Sequence, residues 1–135
     1  MLFNVKTLAL INLLVQLFLI LLLNYAAIFA KKKDLNKHCN IIRIAVDIQI
    51  AAIVSIMWES MVGYLGNGQD ISFNIELLIH HSLGILLILL WIYINLVFAG
   101  IIRLRGELKN IMKSAYIIWT FTFILGLHIY IKIYL

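Results

Sequence analysis

The 135-residue sequence has no proline, one cysteine and few charged side chains, which make up 13% of the total against 64% hydrophobic residues. Soluble globular domains carry about 25% charged and roughly 45–50% apolar residues, so this composition predicts an integral membrane protein. Because proline-rich and glycine-rich stretches are absent, there is no candidate linker or disordered tail. We therefore expect a single transmembrane domain over residues 1–135.

The lone cysteine, Cys39, excludes an intrachain disulfide. With its neighbour His38 it makes only a weak metal pair, because a closed site usually needs about four ligands. The net charge of +5 does not indicate nucleic-acid binding, since the basic residues sit beside hydrophobic runs and not in a solvated patch interleaved with aromatics. The expected partners are the lipid bilayer and other membrane protein subunits.

Four hydrophobic runs are each long enough to cross a bilayer core, which takes about 20 apolar residues as a helix. Backbone groups in lipid must be hydrogen-bonded within their own segment, so these runs are predicted to be helices. Short connections between them predict an all-α fold, a four-helix transmembrane bundle with up-down-up-down topology. The predicted helices cover residues 6–30, 40–65, 73–102 and 111–135.

Basic residues cluster beside the first and third connections. Those beside the first are Lys31, Lys32, Lys33, Lys37 and Arg43, and those beside the third are Arg103, Arg105, Lys109 and Lys113. The positive-inside rule then places connections 31–39 and 103–110 in the cytoplasm and both termini outside, in the cytoplasmic membrane. Because Lys31 follows the first run directly, as in a stop-transfer flank, we expect that run to be retained and not cleaved as a signal peptide.

Polar side chains within a span are costly and tend to face the bundle interior, where they pair or do chemistry. In order along the chain these are Asn12, Gln16, Asn24, Asp47, Glu59, His80, His81, Asn95 and His128. In the predicted topology His80 and His128 both lie about 10 Å from the outer surface, at a rise of 1.5 Å per residue. Glu59 and Asn12 reach nearly the same level.

Two histidines at one depth on neighbouring helices are the arrangement that holds a b-type haem, each imidazole supplying one axial nitrogen. Glu59 or Asn12 would then orient a ligand from outside the coordination sphere. A mononuclear copper or zinc site is the competing hypothesis, with Glu59 or the adjacent His81 as a further ligand. The third reading has no cofactor, and its histidines form structural hydrogen bonds.

Helical periodicity assigns these residues to faces. On the third span the residues predicted to face protein are Glu76, His80, Gly84, Trp91 and Asn95. On the fourth, the predicted packing stripe of small and aromatic residues is Ala115, Trp119, Thr122, Gly126 and Tyr130. His128 falls opposite this stripe, which favours a position facing lipid headgroups or a partner protein.

Asp47 lies one turn beyond Arg43, and an i, i+4 ion pair between them is a simpler explanation than a proton relay. An ion or small-solute carrier would need a continuous chain of titratable groups, and mid-membrane positions offer little beyond Gln16 and Ser55. The sequence contains no nucleophile with an adjacent base, phosphate-binding loop or paired-carboxylate motif. An enzyme is therefore not expected.

Three short fragments occur in an order typical of one known family. The fragments are Lys37 with His38; Phe73, Leu77, His80 and Gly84; and Trp119, Gly126 and Tyr130. On these residues the stretch 31–135 resembles a family of small four-helix membrane proteins of unassigned biochemical activity. That family occurs in bacteria and archaea and is linked to the assembly or function of haem–copper terminal oxidases.

The resemblance implies His38 and His80 as ligands. The family usually has a further histidine near the start of the fourth helix, where the alignment fixed by Trp119 places Leu108, and one near the end of the second helix that is missing here. A site that uses the full histidine set is therefore not intact. His38 and His80 lie near opposite membrane faces in the predicted topology, so one mononuclear site does not use both, and the pairing of His128 with His80 rests on depth alone.

Taken together, these features predict a small accessory or assembly protein of a respiratory membrane complex. It would hold haem b or copper near the outer face through His80, with His128 or Glu59 helping. The alternative is a purely structural subunit without a cofactor, whose polar residues bridge helices and contact a larger complex.

Overall fold

The computed structural model describes residues 4–59, 62, 66, 71–103 and 106–135, with side chains of the third helix described from residue 75 onward. Four long helices make up most of it: α1, Val5–Lys31; α2, Leu35–Ala52; α3, Ile71–Phe98; and α4, Leu108–Tyr134. A π-helical segment, Ile53–Met57, continues α2 directly. Within the described residues there is no strand. All four helices are long and apolar enough to cross a membrane, which confirms the predicted all-α class with four long apolar helices.

The first connection is much shorter than the predicted loop 31–39. Lys33 takes a left-handed conformation with φ 61°, and the N–H of Asp34 donates to the carbonyl of Phe29 at 3.0 Å in a Schellman turn. The side chain of Asp34 then accepts from the N–H of Lys37 at 3.2 Å and starts α2. The predicted start at residue 40 was wrong, because a well-capped first turn forms before the apolar run begins.

The third helix ends at Phe98, before the predicted end at residue 102. Gly100 has φ 73°, and the N–H of Ile101 donates to the carbonyl of Leu96 at 3.1 Å. This is again a Schellman turn, which stops the helix although the following residues are apolar. The fourth helix begins at Leu108, earlier than predicted. The predicted end of the second helix at residue 65, and most of the connection 66–72, lie outside the described residues.

The chain divides into two compact units, Met1–Asp70 with Tyr130–Leu135, and Ile71–Ile129. In the first unit α1 and α2 pack through leucine and alanine side chains. The buried apolar residues of this pair are Leu8, Leu19, Leu23 and Ala26 of α1 and Ala45 and Ala52 of α2. Because alanine has so small a side chain, the two backbones approach closely along this face.

One polar contact lies inside this apolar interface. Gln16 Nε2 donates to Gln49 Oε1 at 2.6 Å, and both side chains are buried. A buried amide without a partner costs free energy in an apolar medium, so each glutamine stabilises the other. The contact fixes the register of α1 against α2.

In the second unit α3 and α4 form a hairpin with an aromatic core. Leu87, Trp91 and Ile94 are the buried residues of α3, and the rings of Trp91 and Trp119 meet edge to face with centroids 5.8 Å apart. The predicted packing stripe of α4 is confirmed within this unit, since Ala115, Trp119 and Thr122 are buried. Tyr130 is buried as well and belongs to the first unit. On α3 the prediction fails for Asn95, which is exposed and donates to the carbonyl of Trp91.

The outward surfaces of the helices carry large apolar side chains. Examples, one from each span, are Leu21, Val54, Leu78 and Ile117, all of them exposed. Contiguous apolar surface of this kind is unfavourable in water and mediates association or membrane contact. The surface is therefore compatible with lipid.

The glutamine contact yields a test by double-mutant cycle. Gln16→Leu and Gln49→Leu each remove this hydrogen bond, so we expect each to lower the free energy of unfolding by about 1 kcal/mol. The double variant removes both amides and should cost less than the sum of the two singles. Unfolding in mixed micelles, followed by circular dichroism, measures the unfolding free energy of the wild type, the two single variants and the double variant. Additive losses would contradict the pairing.

Candidate functional site

His80 lies between α3 and α4 with one ring nitrogen fixed by the backbone. Its Nδ1 is 3.1 Å from the carbonyl oxygen of Thr122. Because a carbonyl oxygen only accepts, Nδ1 carries the proton and the neutral ring has its lone pair on Nε2. No described residue hydrogen-bonds to Nε2. The imidazole is thus held in one tautomer, with its other nitrogen available as a donor to a metal.

Gly126 makes room for this ring on α4. A Cβ at this position would lie in ordinary contact with His80 Nδ1 at 3.5 Å, but only 2.9 Å from His80 Cε1, which is closer than two carbon atoms approach without displacement. Periodicity placed Gly126 on the packing stripe, and the structure shows which side chain occupies the space it leaves. The pair explains why the hydrogen bond from His80 can reach across to Thr122.

His81 and His38 are held in the same way. His81 Nδ1 lies 2.7 Å from the carbonyl oxygen of Leu77 on its own helix, and the rings of His81 and His80 meet edge to face at 5.5 Å. In the other unit, His38 Nδ1 lies 2.8 Å from the carbonyl oxygen of Ala26 and ties α2 to α1. Consecutive residues point about 100° apart around a helix, so His80 and His81 do not form the two opposed ligands of one haem iron.

His128 pairs with a carboxylate. Its side chain is 59% exposed, as its position opposite the packing stripe predicted, and its Nε2 lies 3.8 Å from Oε2 of Glu76. Glu76 is one turn before His80 on α3 and shares its face, so His128 reaches the same side of α3 that His80 occupies. Periodicity predicted Glu76 on this face. Its contact with His128 was not predicted, because depth in the membrane does not indicate how far a side chain extends toward the neighbouring helix.

The remaining predicted site residues belong to the first unit. Glu59 is exposed, and Asn12 has a buried Oδ1 that no described residue hydrogen-bonds. Their predicted convergence with His80 stays a prediction. The ion pair between Arg43 and Asp47 was predicted wrongly: both side chains are exposed, and within the described part of the chain no ion pair joins them.

The hairpin helices carry three imidazoles, those of His80, His81 and His128, and the carboxylate of Glu76. In the described ranges no three histidine, cysteine or acidic side chains converge on one point. Among these residues a metal ion would therefore find at most two such side chains as ligands. No family model, curated protein or solved structure matches this chain. The function must consequently be argued from these residues.

The two helical glycines of the hairpin make a matched pair of variants. We expect Gly126→Ala to lower the unfolding free energy by about 1–3 kcal/mol, because the new methyl group displaces the His80 ring from Thr122. Gly84→Ala meets nothing within 4 Å and should be neutral or stabilising by up to about 1 kcal/mol, since alanine favours the helix. The midpoint of thermal unfolding in detergent distinguishes them.

A combined variant checks the cause. His80→Ala in the Gly126→Ala background removes the clash, so it should recover part of the lost stability. Equal midpoints for Gly126→Ala and Gly84→Ala would show that the ring is not packed against α4 as described.

Proposed function

We propose that this protein is a multi-pass protein of the cytoplasmic membrane that binds a copper ion or haem b through His80. It would act as an accessory or assembly protein of a respiratory complex. The observation that carries the proposal is the hydrogen bond from His80 Nδ1 to the carbonyl of Thr122. Metal-binding histidines almost always donate their second ring N–H in this way, which fixes the tautomer and raises the basicity of the ligating nitrogen.

The donor set supports a metal with affinity for imidazole. His80 would supply Nε2, and the His128 and Glu76 pair supplies a second imidazole or a carboxylate on the same side of α3. Imidazole ligands suit copper, zinc and iron. A bound metal would either transfer electrons or be passed on to a partner protein. The chain itself would orient the imidazole of His80 and exclude water from the metal.

The tight contact at Gly126 favours a copper ion over haem between α3 and α4. The imidazole of His80 already fills the space beside Gly126, and a macrocycle there would force the two helices apart. An ion needs no such separation. A site with two donors from this chain leaves positions for ligands from another protein, which fits an accessory role.

A structural subunit without a cofactor is the second candidate. The observation that favours it is that the hydrogen bonds of His80 to Thr122 and of His38 to Ala26 each tie one helix to its neighbour without any bound group. Interhelical bonds of this kind average about 0.6 kcal/mol in membranes and occur without a catalytic purpose.

The proposed topology has both termini outside. We expect alkaline phosphatase fused after Leu135 to be active, because it folds only outside the cytoplasm, and a fusion after Lys109 to be inactive. The reason is the excess of basic residues beside the first and third connections. Green fluorescent protein fused at the same two positions should give the reverse pattern. An active fusion after Lys109 with an inactive one after Leu135 would invert the proposed orientation.

Metal and haem content test the site directly. We expect protein purified from copper-supplemented cells to contain copper, and His80→Ala to lose it, because Nε2 of His80 is the principal donor. His38→Ala is the matched control: that imidazole is held by a backbone carbonyl in the same way but lies in the other unit. Elemental analysis and the reduced-minus-oxidised visible spectrum are recorded on one sample.

The outcomes separate the candidates. A haem b spectrum that disappears in both His80→Ala and His128→Ala would replace copper by a haem with two histidine ligands. Colourless, metal-free protein, prepared without chelators from cells supplied with both copper and haem precursors, would reject the cofactor and leave the structural subunit.

A further inference from the structure

The outward face of α2 carries a line of polar and small residues. Arg43, Asp47, Ala51 and Ser55 follow one another at intervals of four, and all four are exposed. We call them the polar stripe. Exposed apolar residues border it, among them Ile44, Ile50 and Val54. The outward faces of the other helices carry mainly large apolar residues, so the stripe distinguishes α2 from a helix that only contacts lipid.

Two charges in the polar stripe lack partners where they stand. Neither Arg43 nor Asp47 forms an ion pair with any described residue. A charged side chain facing lipid is costly, and charges inside membrane segments almost always face protein or water. Asp47 lies one turn farther into the apolar run than Arg43, so its carboxylate has the greater need of a partner.

The π-helical segment keeps the polar stripe in line. In an α-helix, residues four apart drift by about 40° around the axis with each step, so a long i, i+4 series winds away from one face. The segment Ile53–Met57 has i→i+5 hydrogen bonding and takes more residues per turn, which reduces this drift. Ser55 therefore stays close to the direction of Ala51. Its hydroxyl donates to the carbonyl of Ala51 at 2.6 Å, so the Ser55 side chain adds little bulk to the helix surface.

We propose that the polar stripe is the interface of a parallel homodimer, in which α2 packs against α2 of a second copy. In a two-fold symmetric pair each residue contact occurs twice, so the surface must be complementary to itself. Arg43 and Asp47 carry opposite charges about 6 Å apart along the axis, a distance that an arginine side chain spans. Arg43 of each copy then pairs with Asp47 of the other.

The small residues place the crossing point. Ala51 and Ser55 form a small-xxx-small pattern, which lets two membrane helices approach closely and cross at an angle. Glu59, the next position at this spacing, is also exposed, and two such carboxylates would repel each other if they met. The closest approach falls between Asp47 and Ala51, about 9 Å from Arg43 and about 15 Å from Glu59 along the axis at 1.5 Å per residue, so Glu59 stays outside the contact.

Charge reversal distinguishes pairing between copies from pairing within one helix. Arg43→Asp gives a stripe with two acids, and Asp47→Arg one with two bases, so neither variant should associate with itself. A mixture of the two variants restores both cross-pairs. An ion pair within a single helix would be lost in both variants and would not return on mixing.

The measurement is capture between two differently tagged full-length chains, coexpressed and extracted in mild detergent. We expect wild type to capture wild type, each reversal to capture itself at least about tenfold less, and Arg43→Asp to capture Asp47→Arg close to the wild-type amount. Lys113→Asp, an exposed charge reversal on α4, is the control and should leave capture unchanged. Failure of wild type to capture itself, undiminished capture by either reversal, or no recovery in the mixture would each overturn the proposal.

Disulfide crosslinking gives a second measurement that does not depend on charge. In a Cys39→Ser background, Ala51→Cys should form a dimer on mild oxidation in native membranes. Leu21→Cys, at an exposed position on α1, should not. Crosslinking through Leu21→Cys but not Ala51→Cys would place the contact between copies on α1 and reject the α2 interface. Absence of crosslinking at Ala51→Cys, with the thiol still reactive to a maleimide, would mean that another element covers the stripe.

Discussion

A polar group that is buried away from water needs a hydrogen-bond partner within the protein, and many contacts of this chain supply one. The backbone meets this need by forming four long helices whose ends are closed by hydrogen bonds, as at Lys33 and Gly100. Side chains meet it in pairs. Gln16 finds Gln49, and the imidazole of His80 finds a backbone carbonyl on the neighbouring helix.

Close packing and polar pairing depend on each other in both units. A hydrogen bond between helices forms only where the backbones approach closely, and small residues supply that approach. Ala45 and Ala52 flank Gln49 on α2, and Gly126 lies beside the His80 ring on α4. The same rule applies to the outward face of α2, where Ala51 and Ser55 lie beside the two charges that need partners. It is the reason for proposing that a second copy of the chain packs there.

The sequence predicted the helices well and the partners poorly, for a physical reason. Twenty apolar residues dictate a span whatever surrounds them, and the stripe from Ala115 to Thr122 follows from periodicity within one helix. Partners depend on the reach of side chains between helices, which periodicity does not contain. The pairing of His128 with His80 by depth stays a prediction, and the contact of His128 with Glu76 was not predicted. The role of Gln49 was not predicted. The helix start at Leu35 was not predicted either, because the first turn of α2 is polar.

The three tryptophans are placed so that they report on different parts of the molecule. Trp91 and Trp119 are buried together inside the α3 and α4 hairpin, whereas Trp58 stands exposed just beyond the π-helical segment. Brominated lipids should therefore quench mainly the emission of Trp58. Exciton coupling between the two buried indoles, visible as a couplet in the far-ultraviolet dichroism, should follow the closure of the hairpin. The chain thus contains separate optical signals for the exposed surface near the π-helical segment and for the packing inside the hairpin.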